Sequence, residues 1–406
     1  MSTGLPTTLP EAEWRTRHGL DELCEALGAA AGEARFVGGA VRDSLLGMPV
    51  KDVDLATVHT PQEVVERVRR AGFKAVPTGI AHGTVTAVIH HWPVEITTLR
   101  RDVSTDGRRA TVAFGTDWRE DAARRDFTIN ALYADPVGGR LHDYFGGLDD
   151  LAAHRVRFIG DPQARIAEDH LRILRYFRFT ARFGVIDRSS ADYAACITNA
   201  ASLMALSRER IADELLKLLA LPAPGEVVAA MVEDGILAPV LPEIGADSVA
   251  RLRALLVAEQ ATGTPPDALR RLIALVPPDA APADQIGARL RLPNKARTRM
   301  QAALTPLDVG SPRGLAYRIG IVAALDQILL ERAFTISQAA EIASWTPPRL
   351  PLSGGDLIAM GLTAGPQVAR TLQEVERQWI AAGFPGETET RALAAQILVS
   401  LLRASQ

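Results

Sequence analysis

The chain is 406 residues long, 47% hydrophobic and 23% charged, with a formal net charge of −3. That balance predicts a folded protein of about two to four domains and excludes a disordered chain. It also excludes a polyanion binder that works through total charge, while a local basic face stays open. Cys24 and Cys196 sit in apolar helical contexts without ligand spacing and read as buried thiols of a reducing cytoplasm. The opening stretch lacks a basic segment followed by an apolar one, so no signal peptide is expected, and no apolar run reaches spanning length.

Residues 11–30 read as an amphipathic helix that leads into a buried strand ending at Phe36 and Val37. Gly38-Gly39 then makes a tight turn, and Ala40 to Leu46 opens a helix with Arg42 in its first turn. N–H groups at such a start have no intrahelical acceptor and make a phosphate cradle. Gly47 and Pro49 end the helix, and Asp52-Val53-Asp54-Leu55-Ala56 resumes as a strand. Strand alternation puts Asp52 and Asp54 on one face and Val53 and Leu55 in the core. Two carboxylates on one face repel unless a cation lies between them, and hard oxygen ligands at this spacing suit Mg²⁺.

Pro61 to Arg70 predicts a helix with Gly72 as its stop, followed by strands over 73–78, 84–90 and 92–99. The last strand carries Glu95, either a third acidic group beside the pair or an ion-pair partner of Arg100 or Arg101. Residues 100–118 are polar and weakly periodic, which suggests a mobile loop over the site or a surface hairpin. A helix is predicted over 119–133, with Arg124, Arg125 and Asp126 near its exposed start. By itself this trio reads equally as a solvated ion-pair cluster.

Residues 155–160 read as a strand, and Asp161-Pro162 starts a region that is helical through most of the remaining chain. Within it, Asp169, Arg172, Arg175 and Arg178 recur every third residue and form a winding stripe on one helix face. Leu171, Ile173, Leu174, Phe177 and Phe179 pack that helix down. An acceptor and a donor fork three residues apart can read the edge of a nucleobase, or simply form an ion pair. Residues 207–220 predict an amphipathic helix capped by Ser207, with Glu209, Asp213 and Glu214 exposed. Beyond 225 helix follows helix, and residues 289–299 hold a basic cluster that reads as a solvated face or a phosphate contact.

The run G-G-A-V-R-D then D-V-D-L-A-T, with R-R-D-F-T-x-N-A, E-D-x-x-R and S-x-E-R-I-x-x-E-L downstream, resembles a known family's motifs. That family comprises the class II tRNA nucleotidyltransferases and bacterial poly(A) polymerases, within the polymerase-β nucleotidyltransferase superfamily. The resemblance implies an α+β protein. A head with a mixed sheet would occupy 1–150, and an all-α neck, body and tail would follow at 151–222, 223–300 and 301–406. It implies that Asp52 and Asp54 hold Mg²⁺, with Glu95 beside them as the third catalytic carboxylate. Gly38, Gly39, Arg42, Arg125 and Asp126 would then hold the nucleotide's phosphates and ribose. Asp169 and Arg172 would read the base, supported by Arg175 and Arg178, and the 207–220 helix would brace the neck.

The implied activity is addition of CCA to the 3′ end of tRNA from CTP and ATP, in the cytoplasm and without a membrane. A poly(A) polymerase is the nearest rival, and the 100–118 segment together with the absence of a Lys/Arg-rich tail favours CCA addition. A non-catalytic RNA-binding protein on the same fold is the rival of a different class. The presence of every acidic and arginine position counts against it. No histidine follows His170 and no Walker-type motif is present, so neither a His–Asp phosphohydrolase domain nor a P-loop ATPase is expected.

Overall fold

The computed structural model describes residues 5–106 and 109–404. The chain divides into two compact units, Met1–Val240 and Leu241–Gln406. In the first, the continuous helix expected over 11–30 is broken into a 3₁₀ turn (Glu13–Thr16), α1 (Leu20–Ala26) and a second 3₁₀ turn (Ala29–Ala31). Gly19 (φ 89°) and Gly28 (φ 77°) take left-handed backbone at the breaks, a conformation through which a right-handed helix cannot run.

Next come β1 (Ala34–Val37), α2 (Gly39–Leu45), β2 (Asp54–Thr57) and α3 (Pro61–Arg70), then β3 (Lys74–Gly79), β4 (Thr84–Ile89) and β5 (Trp92–Thr98). Helix α3 starts with a capping box between Thr60 and Glu63 and carries Pro61 in its first turn. Residues 100–118 do not form an open loop. Their backbone pairs as a hairpin of β6 (Arg100–Asp106) and β7 (Arg109–Phe114), and residues 107–108 of the segment lie outside the described residues.

The helix expected over 119–133 ends early. Helix α4 (Trp118–Ala123) stops, a 3₁₀ turn covers Thr128–Asn130, and β8 (Leu132–Ala134) follows. Asp126 explains the break: its Oδ1 accepts from the Phe127 N–H at 2.9 Å, drawing the backbone out of the helical ladder. β8 then docks on β1, and β9 (Leu141–Asp143) docks on β8. The apolar residues foreseen for the helix are buried all the same, with Phe127, Ile129, Ala131 and Leu132 at 1% exposure or less.

The seven-stranded sheet runs β3-β4-β5-β2-β1-β8-β9. Only β2 and β5 pair in parallel, with Asp54 opposite Glu95 in the register. The sheet is therefore mixed, as expected. Residues 155–160 contribute no strand, only an isolated bridge between Phe127 and Phe158.

After α5 (Gly147–Ala152) the unit is helical: α6 (Pro162–Glu168), α7 (Arg172–Phe183), α8 (Ala191–Thr198), α9 (Arg208–Leu219) and α10 (Gly225–Glu233). Asp161 caps α6 by accepting from the Ala164 N–H at 2.9 Å, ahead of Pro162 at the first helical position. Helix α7 is held to the sheet side by aromatic packing. The Phe127 ring lies 4.9 Å from Phe158 and 5.2 Å from Phe179, and Tyr176 stacks on Phe158 at 5.7 Å. Ser207 sits at the N-cap of α9 without a side-chain cap bond, so that part of the expectation fails.

The second unit contains helices α11 (Ala246–Thr262), α12 (Ala268–Leu275), α13 (Ala280–Arg289), α14 (Asn294–Leu304), α15 (Pro312–Ile319) and α16 (Ile321–Leu329). It continues with α17 (Ala340–Ala343), α18 (Gly354–Ala359), α19 (Pro366–Ala381) and α20 (Glu387–Ala404). Its interior holds charge as well as hydrocarbon. Glu259 takes Arg270 and Arg271, while Asp326 takes Arg270 and Arg299. Much of the basic cluster at 289–299 is thereby accounted for, since Arg289 forks onto Glu243, Arg297 onto Asp284, and Arg299 onto Asp326 and Asp267. Arg289, Arg297 and Arg299 are thus ion-paired, while Arg291 and Lys295 are exposed. Among the described residues no helix is long and apolar enough to cross a membrane.

Replacing Phe127 by Ala should lower the unfolding free energy by about 3–5 kcal/mol. Urea unfolding followed by circular dichroism would read this as a lower midpoint at an unchanged slope.

Candidate active site

The mixed sheet and helix α7 enclose a cleft of about 670 Å³. Gly38, Gly39, Arg42, Asp52, Asp54, Arg125, Asp126, Asp169, Arg172, Arg175 and Arg178 line it, together with Asn130 and Phe179. Every residue assigned from the sequence to metal, phosphate or base contact lies on this wall except Glu95; Arg124, grouped with Arg125 and Asp126, is also outside it. Asn130 and Phe179 were not foreseen as site residues, although Asn130 is the asparagine of the R-R-D-F-T-x-N-A run.

Gly38 has φ 67° and ψ −119°, a backbone conformation that favours glycine. A side chain there would meet only ordinary contacts, so conformation rather than space requires the residue. Its N–H is not open to a ligand, because it donates to the Leu132 carbonyl at 3.0 Å and continues the β1–β8 pairing. The N–H groups left without an intrahelical acceptor therefore start one residue later, at Gly39 and the first turn of α2.

Arg42 is buried, 5% exposed, and held from three sides. Its Nε and Nη2 reach Asp43 Oδ1 at 2.8 and 2.6 Å, Nη1 donates to Asn130 Oδ1, and the guanidinium lies 4.1 Å from the Phe183 ring centroid. Burial lowers its pKa, and the Asp43 carboxylate opposes that shift.

Val53 and Leu55 are buried as predicted, but β2 starts at Asp54, and Asp52 sits exposed on the approach to it. Asp54 is half-buried, and its pKa is raised to about 6 by burial, the neighbouring Glu95 and Asp52, against the lowering pull of Arg125. Glu95 stands beside Asp54 in the sheet, exposed and outside the cleft wall. Among the described residues it forms no ion pair. Arg100, its expected alternative partner, donates to the His82 carbonyl, and the Arg101 side chain lies outside the described residues.

This acidic group fits a hard divalent cation, since like charges crowd a half-buried carboxylate without a bonded cation. Among the described residues no set of three His, Cys, Asp or Glu side chains converges to hold a metal alone. A pair of carboxylates would leave the remaining positions of such a cation to water and other oxygen donors.

Arg124, Arg125 and Asp126 are not at an exposed helix start. Arg124 and Arg125 both bond Asp121, which is 1% exposed, and Tyr133 donates to the same carboxylate at 2.7 Å. Burial works against the Arg125 charge, but Tyr133 and Asp121 outweigh it and raise its pKa. Asp126 is almost fully engaged. Oδ1 takes Phe127 N–H and Asn130 Nδ2, and Oδ2 takes Arg175 Nε at 2.8 Å and also Nη2. Burial raises its pKa less than Arg175 and these hydrogen bonds lower it, so it stays ionised.

The stripe from Asp169 to Arg178 is not wholly helical. Asp169 lies on an extended link (φ −153°, ψ 105°) after α6, and α7 begins at Arg172. Asp169 and Arg172 do not pair with each other. Asp169 Oδ2 accepts from Arg210 Nη2 at 2.7 Å, while Arg172 is held by Glu168 and by the Arg165 carbonyl at 2.9 Å. Arg178 Nε donates to Glu214 at 2.6 Å, and Arg175 lies 3.8 Å from the same residue. Glu214, expected to be exposed, is 4% exposed because these arginines cover it.

The chain is 34% identical over 398 residues to the mouse mitochondrial CCA tRNA nucleotidyltransferase 1, covering 94% of this chain and 90% of that protein. It belongs to the CCA tRNA nucleotidyltransferase family. A CCA-adding enzyme of Lacticaseibacillus paracasei is 33% identical over 378 residues, covering 90% of this chain and 92% of that one. The poly A polymerase head domain model matches residues 34–157. A second model, described as a probable RNA and SrmB-binding site of polymerase A, matches 193–247. The crystal structure of the Bacillus stearothermophilus CCA-adding enzyme in complex with CTP superposes with a TM-score of 0.74 at 27% identity. It covers 96% of this chain and all of that one. The head model of this nucleotidyltransferase family thus spans the sheet from β1 onward and includes both acidic residues of β2 and its approach.

The raised pKa of Asp54 has a measurable sign. Its folded pKa is the higher one, so its protonation favours the fold, and its contribution to stability falls as pH rises from about 4 to about 6. At pH 7 without divalent cations, Asp54→Asn should therefore stabilise the protein by about 1–3 kcal/mol. Differential scanning fluorimetry in chelator should show the higher melting temperature. Adding Mg²⁺ should then raise the melting temperature of the wild type and leave that of the variant unchanged.

Proposed function

We propose that this chain adds CCA to the 3′ end of tRNA from CTP and ATP, without a nucleic-acid template and with Mg²⁺ as the metal. The observation that carries the proposal is one cleft with a crowded carboxylate pair and an acceptor-and-donor pair among its lining residues. Such a cleft can hold a nucleotide by its triphosphate and its base together. Membership in the nucleotidyltransferase family supports the same chemistry.

In this reading Asp52 and Asp54 hold the metal, and Glu95 adds negative charge behind Asp54. The bound metal would polarise the α-phosphate and lower the pKa of the attacking hydroxyl. Arg42 and Arg125, each locked by a carboxylate, offer fixed positive charge to the triphosphate with little reorganisation. The turn at Gly38 and Gly39 brings the start of α2 close to the phosphates. Asp126 holds Arg175 and Asn130 in place, so its role is to position the wall as much as to meet a ribose hydroxyl.

Asp169 accepts from the exocyclic amine that both cytosine and adenine carry, and Arg172 donates to the adjacent ring nitrogen. Arg175 and Arg178 complete the polar wall around them. Holding the primer hydroxyl and the α-phosphate in line then supplies a large part of the rate. We read residues 1–150 as head, 151–222 as neck, 223–300 as body and 301–406 as tail, with tRNA as the partner. A cytoplasmic site of action fits two free, buried cysteines.

A tRNA transcript lacking its last three residues tests the proposal. With Mg²⁺, CTP and ATP together it should grow by three residues, and with CTP alone it should stop after two. An ATP-only ladder on any RNA would instead mean a poly(A) polymerase. Asp52→Ala and Asp54→Ala should each lower extension about a hundredfold or more, and full extension by the double variant would overturn the metal assignment.

A further inference from the structure

We propose that Arg210 is the positioning residue that aims the base-reading carboxylate of Asp169, and so sets the preference for cytosine and adenine. The inference rests on the nucleotide-adding reading above. Asp169 is not aimed by a helix, since it sits on the extended link between α6 and α7. Among the described residues two groups bond its side chain: the Leu171 N–H on Oδ1 at 3.1 Å and Arg210 Nη2 on Oδ2 at 2.7 Å. Arg210 comes from α9 and is not part of the cleft wall, so it acts through Asp169 rather than on the nucleotide.

The alternative state of Asp169 is close at hand. Arg172 follows three residues later, and its backbone N–H donates to the Asp169 carbonyl at 3.0 Å, so the two side chains leave the same turn of chain. An ion pair between them would engage the acceptor and the donor together and leave nothing to read a base. Two outside partners prevent it: Glu168 draws Arg172 back toward α6, and Arg210 draws Asp169 toward α9. A carboxylate held in this way can only accept. It then favours cytosine and adenine, whose amine sits on C4 or C6, over uracil and guanine, which present a carbonyl oxygen at that position. Remove the Arg210 charge, and Asp169 turns to Arg172.

The test is calorimetric titration of CTP, ATP, UTP and GTP, each with Mg²⁺, into the full-length wild type, Arg210→Met and Arg210→Lys. In Arg210→Met, CTP and ATP should bind about ten- to a hundredfold more weakly while UTP and GTP are unchanged, which flattens the preference. Arg210→Lys, which keeps the charge, should recover part of it. In tRNA extension, KM for CTP and ATP should rise more than kcat falls.

Arg210→Met with the wild-type preference overturns the proposal, and so does an equal loss for all four nucleotides, which marks a merely structural brace. If Arg210→Met does not fold, Arg210→Gln is read by the same criterion. A wild type that binds no nucleotide overturns the nucleotide-adding reading itself. A binding wild type with an indifferent variant overturns the role of Arg210 alone.

Discussion

The cleft depends on one ion pair, the fork of Arg175 on Asp126. Asp126 belongs to the turn between α4 and β8, and Arg175 to helix α7, which also carries Arg172 and Arg178. Joining them puts two sequence-distant walls face to face. The same carboxylate breaks α4 by taking the Phe127 N–H, which frees Phe127 to pack on Phe158 and Phe179. Local chain reversal, aromatic packing and the charge pair therefore share one residue. Asp126 is 9% exposed, so an unpaired charge there would carry a heavy desolvation cost.

Charge is distributed unevenly around the site. Each arginine of the wall has a carboxylate of its own: Asp43 for Arg42, Asp121 for Arg125, Glu168 for Arg172, Asp126 for Arg175 and Glu214 for Arg178. These pairs fix the donors in place before any ligand arrives, which is the preorganisation that charge-stabilising sites need. Asp52, Asp54 and Glu95 are the opposite case. Among the described residues they make no ion pair, and burial, together with the Glu95 and Asp52 charges, raises the pKa of Asp54. Ion-paired arginines and the unpaired Asp52 and Asp54 thus line one cleft.

The motifs were legible because their chemistry is local. The glycine turn, the alternation of Asp52 to Leu55 and the arginine spacing each lie within a few residues, where backbone geometry decides what faces what. What failed was competition between a local pattern and a distant partner. Residues 124–133 have helical apolar spacing, yet Asp126 and the docking of β8 on β1 override it. Glu214 looks like a solvated acid on an amphipathic helix, and only the arrival of Arg178 buries it. The Arg289 to Arg299 run reads as a solvated face or a phosphate contact, and carboxylates from Glu243, Asp284, Asp267 and Asp326 claim much of it.

By itself the sequence determined the family, through the resemblance of its motifs, and with it the mixed sheet followed by helices, while short-range spacing and residue chemistry marked many of the side chains that line the cleft. Only the tertiary structure decided how those side chains are used. It shows the Gly38 N–H engaged by Leu132, Asp126 closed on Arg175, and Asp169 and Arg172 kept apart by partners on other segments. Ion pairs and burial link residues far apart in the chain, and no local pattern in the sequence encodes which distant charge will come to meet a given one.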